Sequence, residues 1–255
     1  MKPALYLATL ILTSCATSSY YQVYKSTAEK GILSGNNILF EDENCRLLYN
    51  LWGEGGNVGF YIYNKTEMDL TLDLTKSFFV LNDISHEYFQ NRIFSQSNSS
   101  GTSANRYKYF YSDPIHVASS ISRSTSYEEK PFITIPPKTK TNVSEFEVSD
   151  SRYISCDLPK FPSRKTIKTI TFDKATSPFV FYNLITYRIK SDTIRFENRF
   201  FVSEITNLPE KSAFINIYKS FCGTPLETPA KAFKDATPDK FYIKYIRDNS
   251  IAIGN

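Results

Sequence analysis

Apolar and polar residues alternate along much of this chain with a period of two. Val58, Phe60 and Ile62 alternate with Gly59, Tyr61 and Tyr63; Leu70, Leu72 and Leu74 alternate with Thr71, Asp73 and Thr75. That period gives a strand one dry face, so both stretches predict half-buried β-strands. Ile38–Phe40 and Cys45–Trp52 predict strands before them. Ser77–Asn82 holds four consecutive apolar residues and predicts a strand buried on both sides. Later strands are predicted at Phe132–Ile135, Val143–Val148, Thr166–Phe172, Phe179–Ile189, Thr193–Phe196, Arg199–Ile205 and Phe241–Ile246. Pro136-Pro137 marks a strand end or a sheet edge, because proline cannot donate to a ladder. Gly55-Gly56-Asn57 predicts a hairpin connection, since Gly and Asn tolerate positive φ. Asn64-Lys65-Thr66-Glu67 and Lys190-Ser191-Asp192 predict further turns.

Three stretches depart from this pattern. Residues 16–35 are small and polar apart from Tyr20-Tyr21-Gln22-Val23-Tyr24, and read as a tether with a short strand or aromatic patch. Residues 95–130 are rich in Ser and Asn around Tyr107-Lys108-Tyr109-Phe110-Tyr111. A long polar excursion in a compact domain is a candidate binding surface. Tyr107, Tyr109 and Tyr111 would share one face of a strand, where rings can stack on sugars; the plainer alternative is an aromatic strand packed inward. From Pro209, the spacing of Ala213, Phe214, Ile217, Tyr218 and Phe221 predicts a helix ending at Gly223. No internal repeat and no alternation of strand and helix is present. The expectation is therefore all-β: an antiparallel β-sandwich with one short C-terminal helix.

The first residues carry an address. Lys2 precedes a short apolar run, Ala4–Leu12, followed by Leu12-Thr13-Ser14-Cys15. The run is about half the ~20 residues a spanning helix needs. Charge, apolar run and small residues together have the layout of a cleaved signal. The quartet resembles the lipobox of bacterial lipoproteins, which implies cleavage before Cys15 and diacylation of its sulfur. Two acyl chains on one residue give stable anchoring. The domain expectation follows: 1–14 signal peptide, 15–35 lipidated tether, 36–246 sandwich with room for two sub-modules meeting near 156–165, and 247–255 tail. Ala16 follows Cys15 where an inner-membrane retention signal would place Asp, so the resemblance implies the outer membrane. No acidic run follows, which favours its periplasmic face over the cell surface.

Composition adds bounds. Aromatics make up 15% of the 255 residues, with 20 Phe and 18 Tyr against one Trp, enough for a true core. The formal charge of +4 falls to +3 without Lys2, too little overall to imply nucleic acid or a polybasic membrane segment. Beyond Cys15 the cysteines are Cys45, Cys156 and Cys222. An exported compartment permits a disulfide, and Cys156–Cys222, at the ends of predicted elements, is the pairing expected. Cys45 opens a strand and reads as a buried small hydrophobe.

Candidate chemistry is sparse. His86 and His116 are the two histidines, and no HExxH, G-x-S-x-G, S-x-x-K or Walker pattern occurs. Glu41-Asp42-Glu43 reads as a solvated turn. No catalytic residue, metal site or cofactor is expected. The order of elements from Phe60 to Asn82, together with Ile133-Thr134-Ile135-Pro136-Pro137-Lys138, resembles uncharacterised lipoproteins of Gram-negative gut anaerobes. That resemblance implies an immunoglobulin-like sandwich and an envelope location; it brings no activity. Trp52 follows Cys45 by only seven residues, unlike the Cys…Trp…Cys spacing of true immunoglobulin domains. The expectation is a membrane-anchored, non-enzymatic binding or scaffolding module with an unknown protein or glycan partner and no nucleic acid. Glycan binding or adhesion is the first alternative, and a carboxylate-dependent envelope hydrolase the second.

Overall fold

The computed structural model describes residues 18–103, 118–218, 220–222, 224–225 and 228–247. In chain order its strands are β1 (Ser18–Ala28), β2 (Ile32–Ser34), β3 (Asn37–Glu41), β4 (Cys45–Tyr49), β5 (Phe60–Asn64), β6 (Leu70–Asp73), β7 (Phe78–Leu81), β8 (Ile84–Glu87), β9 (Ile93–Ser103) and β10 (Ala118–Glu128). They continue with β11 (Phe132–Ile135), β12 (Lys140–Val143), β13 (Thr169–Thr171), β14 (Val180–Ile189), β15 (Asp192–Pro209), β16 (Phe214–Ile217), β17 (Ser220–Phe221), β18 (Thr224–Pro225), β19 (Ala230–Phe233) and β20 (Lys240–Arg247). One turn of helix, α1 (Glu210–Ala213), lies between β15 and β16.

The larger sheet runs β11-β6-β14-β15-β1-β20, with β13 beside β15 and the β7–β8 hairpin beside β14. The smaller runs β12-β5-β4-β3-β2. The strand pairs are antiparallel, and the fold is all-β. Leu47, Phe60 and Ile62 of the smaller sheet share one core with Leu72, Tyr187 and Val202 of the larger. The expected dry positions Val58, Phe60, Ile62, Leu70 and Leu72 are buried and Tyr61 faces solvent, but Asp73, expected on the polar face, is buried as well, and Leu74–Lys76 is a 3-10 turn rather than a continuation of β6. Aromatic stacking fills the centre, with Tyr24 on Phe241 at 4.5 Å and Phe181 on Phe200 at 5.2 Å. Several buried hydroxyls and amides are paired across it, while Ser26 Oγ and Asn198 Oδ1 are buried without a hydrogen-bond partner among the described residues. Tyr49 accepts from Asn198 at 2.9 Å, and Tyr88 donates to Asn183 at 2.8 Å.

Several predicted elements are corrected. The stretch read as a tether is mostly β1, an interior strand between β15 and β20, with Tyr20, Tyr21 and Tyr24 buried. Its polar Gln22 hid this reading. Gln22 is fully buried because Tyr24 and the Tyr153 backbone amide donate to its carbonyl, while its own amide donates to Asn207 at 2.8 Å. The helix predicted over 209–223 is a single turn. No side chain caps α1, Ile215 and Ile217 are β-branched, and Phe214 instead pairs with Phe233 across β16–β19, rings 4.2 Å apart. Thr193–Phe196 and Arg199–Ile205 merge into the eighteen-residue β15. Val143–Val148 is not one strand: β12 ends at Val143, and beyond it the ladder contact is a bridge from Glu147 to Asn57. Within 95–130, β9 and β10 form an antiparallel ribbon that pairs with no other described strand.

Candidate functional site

The outer face of β1 lines a concavity. Tyr21, Val23 and Lys25 alternate with the core-facing Gln22 and Tyr24, so they point away from the core. Opposite them on β15 stand Leu208, Thr206 and Glu204. A small layer made by α1, β16 and β19 lies over this face. Its Phe214 and Phe233 meet Tyr21 edge-on at 5.0 and 5.2 Å. Trp52 closes one side, 4.8 Å from Phe233 and 5.4 Å from Tyr242. Trp52 arrives there because the β4–β5 connection is a ten-residue loop rather than a tight turn. Gly55 N–H donates to Tyr242 O at 2.9 Å, and Tyr242 N–H donates to Gly53 O at 3.0 Å, fastening the loop to β20. Gly55 and Gly56 have φ of 80° and 81°, as the turn chemistry predicts. At Gly56 a Cβ would sit 2.7 Å from the Phe241 ring, so glycine is also required for space.

Between the sheet and this layer is a cleft of about 200 Å³, with Val23, Trp52, Ala213 and Phe233 as apolar wall and Lys25, Glu204, Lys234, Asp235 and Lys240 among its polar lining. Lys25 Nζ lies 2.6 Å from Glu204 Oε1, and this bond holds the Lys25 pKa above its ordinary value. Burial, with Glu210, Tyr242 and Glu54 nearby, raises Tyr21. The lining contains the hydroxyls of Thr206 and Ser212 but no histidine or cysteine, so no imidazole stands beside a nucleophile there. Glu204 is engaged by Lys25. The arrangement suits holding a small polar molecule that has an apolar face, and its size is below that of a typical drug-sized pocket.

The residues singled out from sequence are dispersed. Cys15, Tyr107, Tyr109, Tyr111 and His116 lie outside the described residues. Cys156 and Cys222 are exposed free thiols, so the bridge expected between them is not formed in this structure. Cys45 is fully buried, and burial together with the neighbouring Asp42 raises its thiol pKa, which keeps it protonated and inert. His86 stacks on Phe79 at 6.0 Å and lies 5.8 Å from Phe146, beside a shallow open groove. Among the described residues, no group of three or more His, Cys, Asp or Glu is placed to hold a metal ion. The Glu41–Glu43 turn is more structural than solvated. Asp42 accepts from the Asn44 and Cys45 amides at 2.8 and 2.7 Å and from the Tyr187 hydroxyl, while Glu41 pairs with Lys65 at 2.6 Å.

The cleft itself was not legible in the sequence. Its aromatics, Tyr21, Trp52, Phe214, Phe233 and Tyr242, come from five separate stretches, and the one usable signal was the lone Trp beside Gly55-Gly56. Comparison with family models, with curated proteins and with solved structures finds no match.

Proposed function

We propose that this chain is a lipid-anchored envelope protein that acts as a non-enzymatic binding or scaffolding module, held by Cys15 on the periplasmic face of an outer membrane. The observation that carries the reading is Leu12-Thr13-Ser14-Cys15 behind a short apolar run. The cleft supports it, because it offers an aromatic wall and mixed charges without a nucleophile–base pair. The all-β fold with a shared core is compatible with the immunoglobulin-like relationship implied by the sequence. The test is expression of the full chain beside Cys15→Ala, followed by mass analysis and membrane fractionation. The acyl mass and outer-membrane sedimentation are expected to depend on Cys15. Unchanged mass and fractionation in Cys15→Ala would refute the anchor. Protease treatment of intact cells then assigns the face: protection until the outer membrane is opened is expected.

Glycan capture is the second reading, supported by Trp52 and Phe233 beside the charged side chains of the cleft. Binding on a glycan array that is lost in Trp52→Ala is its expected signature. An array without hits would remove it.

A further inference from the structure

The end of the large sheet where β1 begins carries a cluster the sequence scatters. Ser18 pairs with Arg247, and Tyr20 pairs with Tyr245 on one side and Pro209 on the other. The Tyr20 ring lies 5.1 Å from Phe161 and 5.6 Å from Tyr245. The Tyr245 hydroxyl donates to Lys160 O at 2.6 Å, which fixes the Phe161 loop against the strand. Three cations lie over these rings: Arg152 over Tyr245 at 4.9 Å, and Lys160 and Arg247 over Phe161 at 5.1 and 5.4 Å. None of the three forms an ion pair among the described residues. Ile154 and Ile246 are 78% and 56% exposed beside them in sequence. From Asp150 to Lys168 there are five Lys or Arg (Arg152, Lys160, Arg164, Lys165, Lys168) against two Asp (Asp150, Asp157).

We propose that this aromatic and basic end of the sheet docks onto the phospholipid headgroup layer, with Arg152, Lys160 and Arg247 toward phosphates and Phe161 and Tyr245 toward the acyl boundary. The proposal rests on the lipid-anchor reading above. Cys15 is three residues before Ser18, and three residues span at most about 11 Å. An acylated Cys15 therefore holds this end of β1 within about 11 Å of the anchored residue, close enough to reach the headgroup layer. Aromatic rings with a polar edge and cations on apolar stems are the side chains that membrane interfaces accept. The overall charge is modest; the fold concentrates it where the anchor attaches. Along β15 the chain runs sixteen residues from Thr193 to Pro209, so the β14–β15 turn stands up to about 50 Å from the proposed contact.

The test uses the full chain, purified with its anchor and reconstituted into phosphatidylethanolamine and phosphatidylglycerol vesicles carrying a brominated lipid. In a Trp52→Phe background, Phe161→Trp reports the patch and Thr193→Trp reports the far end. Strong quenching at position 161 and little at 193 is expected. Adding Arg152→Gln, Lys160→Gln and Arg247→Gln should reduce quenching at 161 toward the level at 193 without changing the melting temperature. Acyl mass on Cys15 with equal quenching at both positions overturns the docking and leaves the anchor standing. Absence of acyl mass overturns the anchor and the docking with it. An unquenched Phe161→Trp reporter accompanied by concentration-dependent cross-linking would give the patch to a second copy of the chain and overturn lipid as its occupant.

Discussion

Gly35 and Gly56 both have positive φ, but they are held for different reasons. A Cβ on Gly35 meets nothing within 4 Å, whereas one on Gly56 meets the Phe241 ring at 2.7 Å. Gly35→Ala should therefore cost only the conformational term, about 1 kcal/mol. Gly56→Ala adds a clash in the core and should cost clearly more. Urea unfolding midpoints compare the two, and equal shifts would refute the close-approach argument. The buried tyrosines set a second residue-scale behaviour. Burial pushes Tyr24 up to about 12, against the opposing Tyr153 backbone hydrogen bond and Arg152. Burial likewise raises Tyr49, Tyr88 and Tyr187. The folded state thus keeps protons that the unfolded chain releases near its ordinary value of about 10. Their contribution to stability is complete below about pH 10 and is lost as pH rises through the folded values. Alkaline titration should show exposed tyrosines ionising first, and the buried ones ionising only together with loss of the folded circular dichroism signal. A single smooth tyrosinate titration near pH 10 with the fold intact would contradict this.

At the scale of elements, β9 and β10 form a ribbon of eleven residue pairs that ladders with no other described strand. Its base is held separately, by Arg92 pairing with Glu129 and, at 2.7 Å, with Glu145. Replacing residues 95–126 by a short turn should leave the far-ultraviolet signal of the remainder and shift the melting temperature by no more than a few degrees. Unfolding of that variant would mean that the ribbon supports the core. The strands most legible in the sequence were those whose local alternation matched their burial, such as β5, β6 and the β14–β15 hairpin. In that hairpin Lys190 takes positive φ in a two-residue connection. The helix read over 209–223 failed because apolar residues three and four apart also serve a β-hairpin when their partners come from elsewhere, as Phe233 does for Phe214. The ribbon was missed because its Ser- and Asn-rich sequence shows no alternation of apolar and polar residues.

At the scale of the whole molecule, the N-terminal strand closes the large sheet. β1 pairs with β15 through nine residues and with β20 through eight. A chain beginning at Ser18 should fold with near-native stability, whereas one beginning at Glu29 should expose the edges of both neighbours and aggregate. Soluble, folded protein from the shorter chain would refute the closing role of β1. The same arrangement decides where function can sit, since one end of β1 carries the ring-and-cation cluster and its outer face carries the Trp52 cleft. The sequence alone determined the strand class, most strand positions, the positive φ at Gly55-Gly56 and the turn at Lys190-Ser191, because each depends on neighbours a few residues away. Only the tertiary structure decided that residues 18–28 are interior and that Phe214 belongs to a strand. It alone brought Trp52, Phe233 and Lys25 to one cleft and gathered Arg152, Lys160 and Arg247 at one end. Those outcomes come from pairings between residues far apart in the chain, as distant as Ser18 and Arg247, whose burial and hydrogen bonds exist only once the sheets have formed.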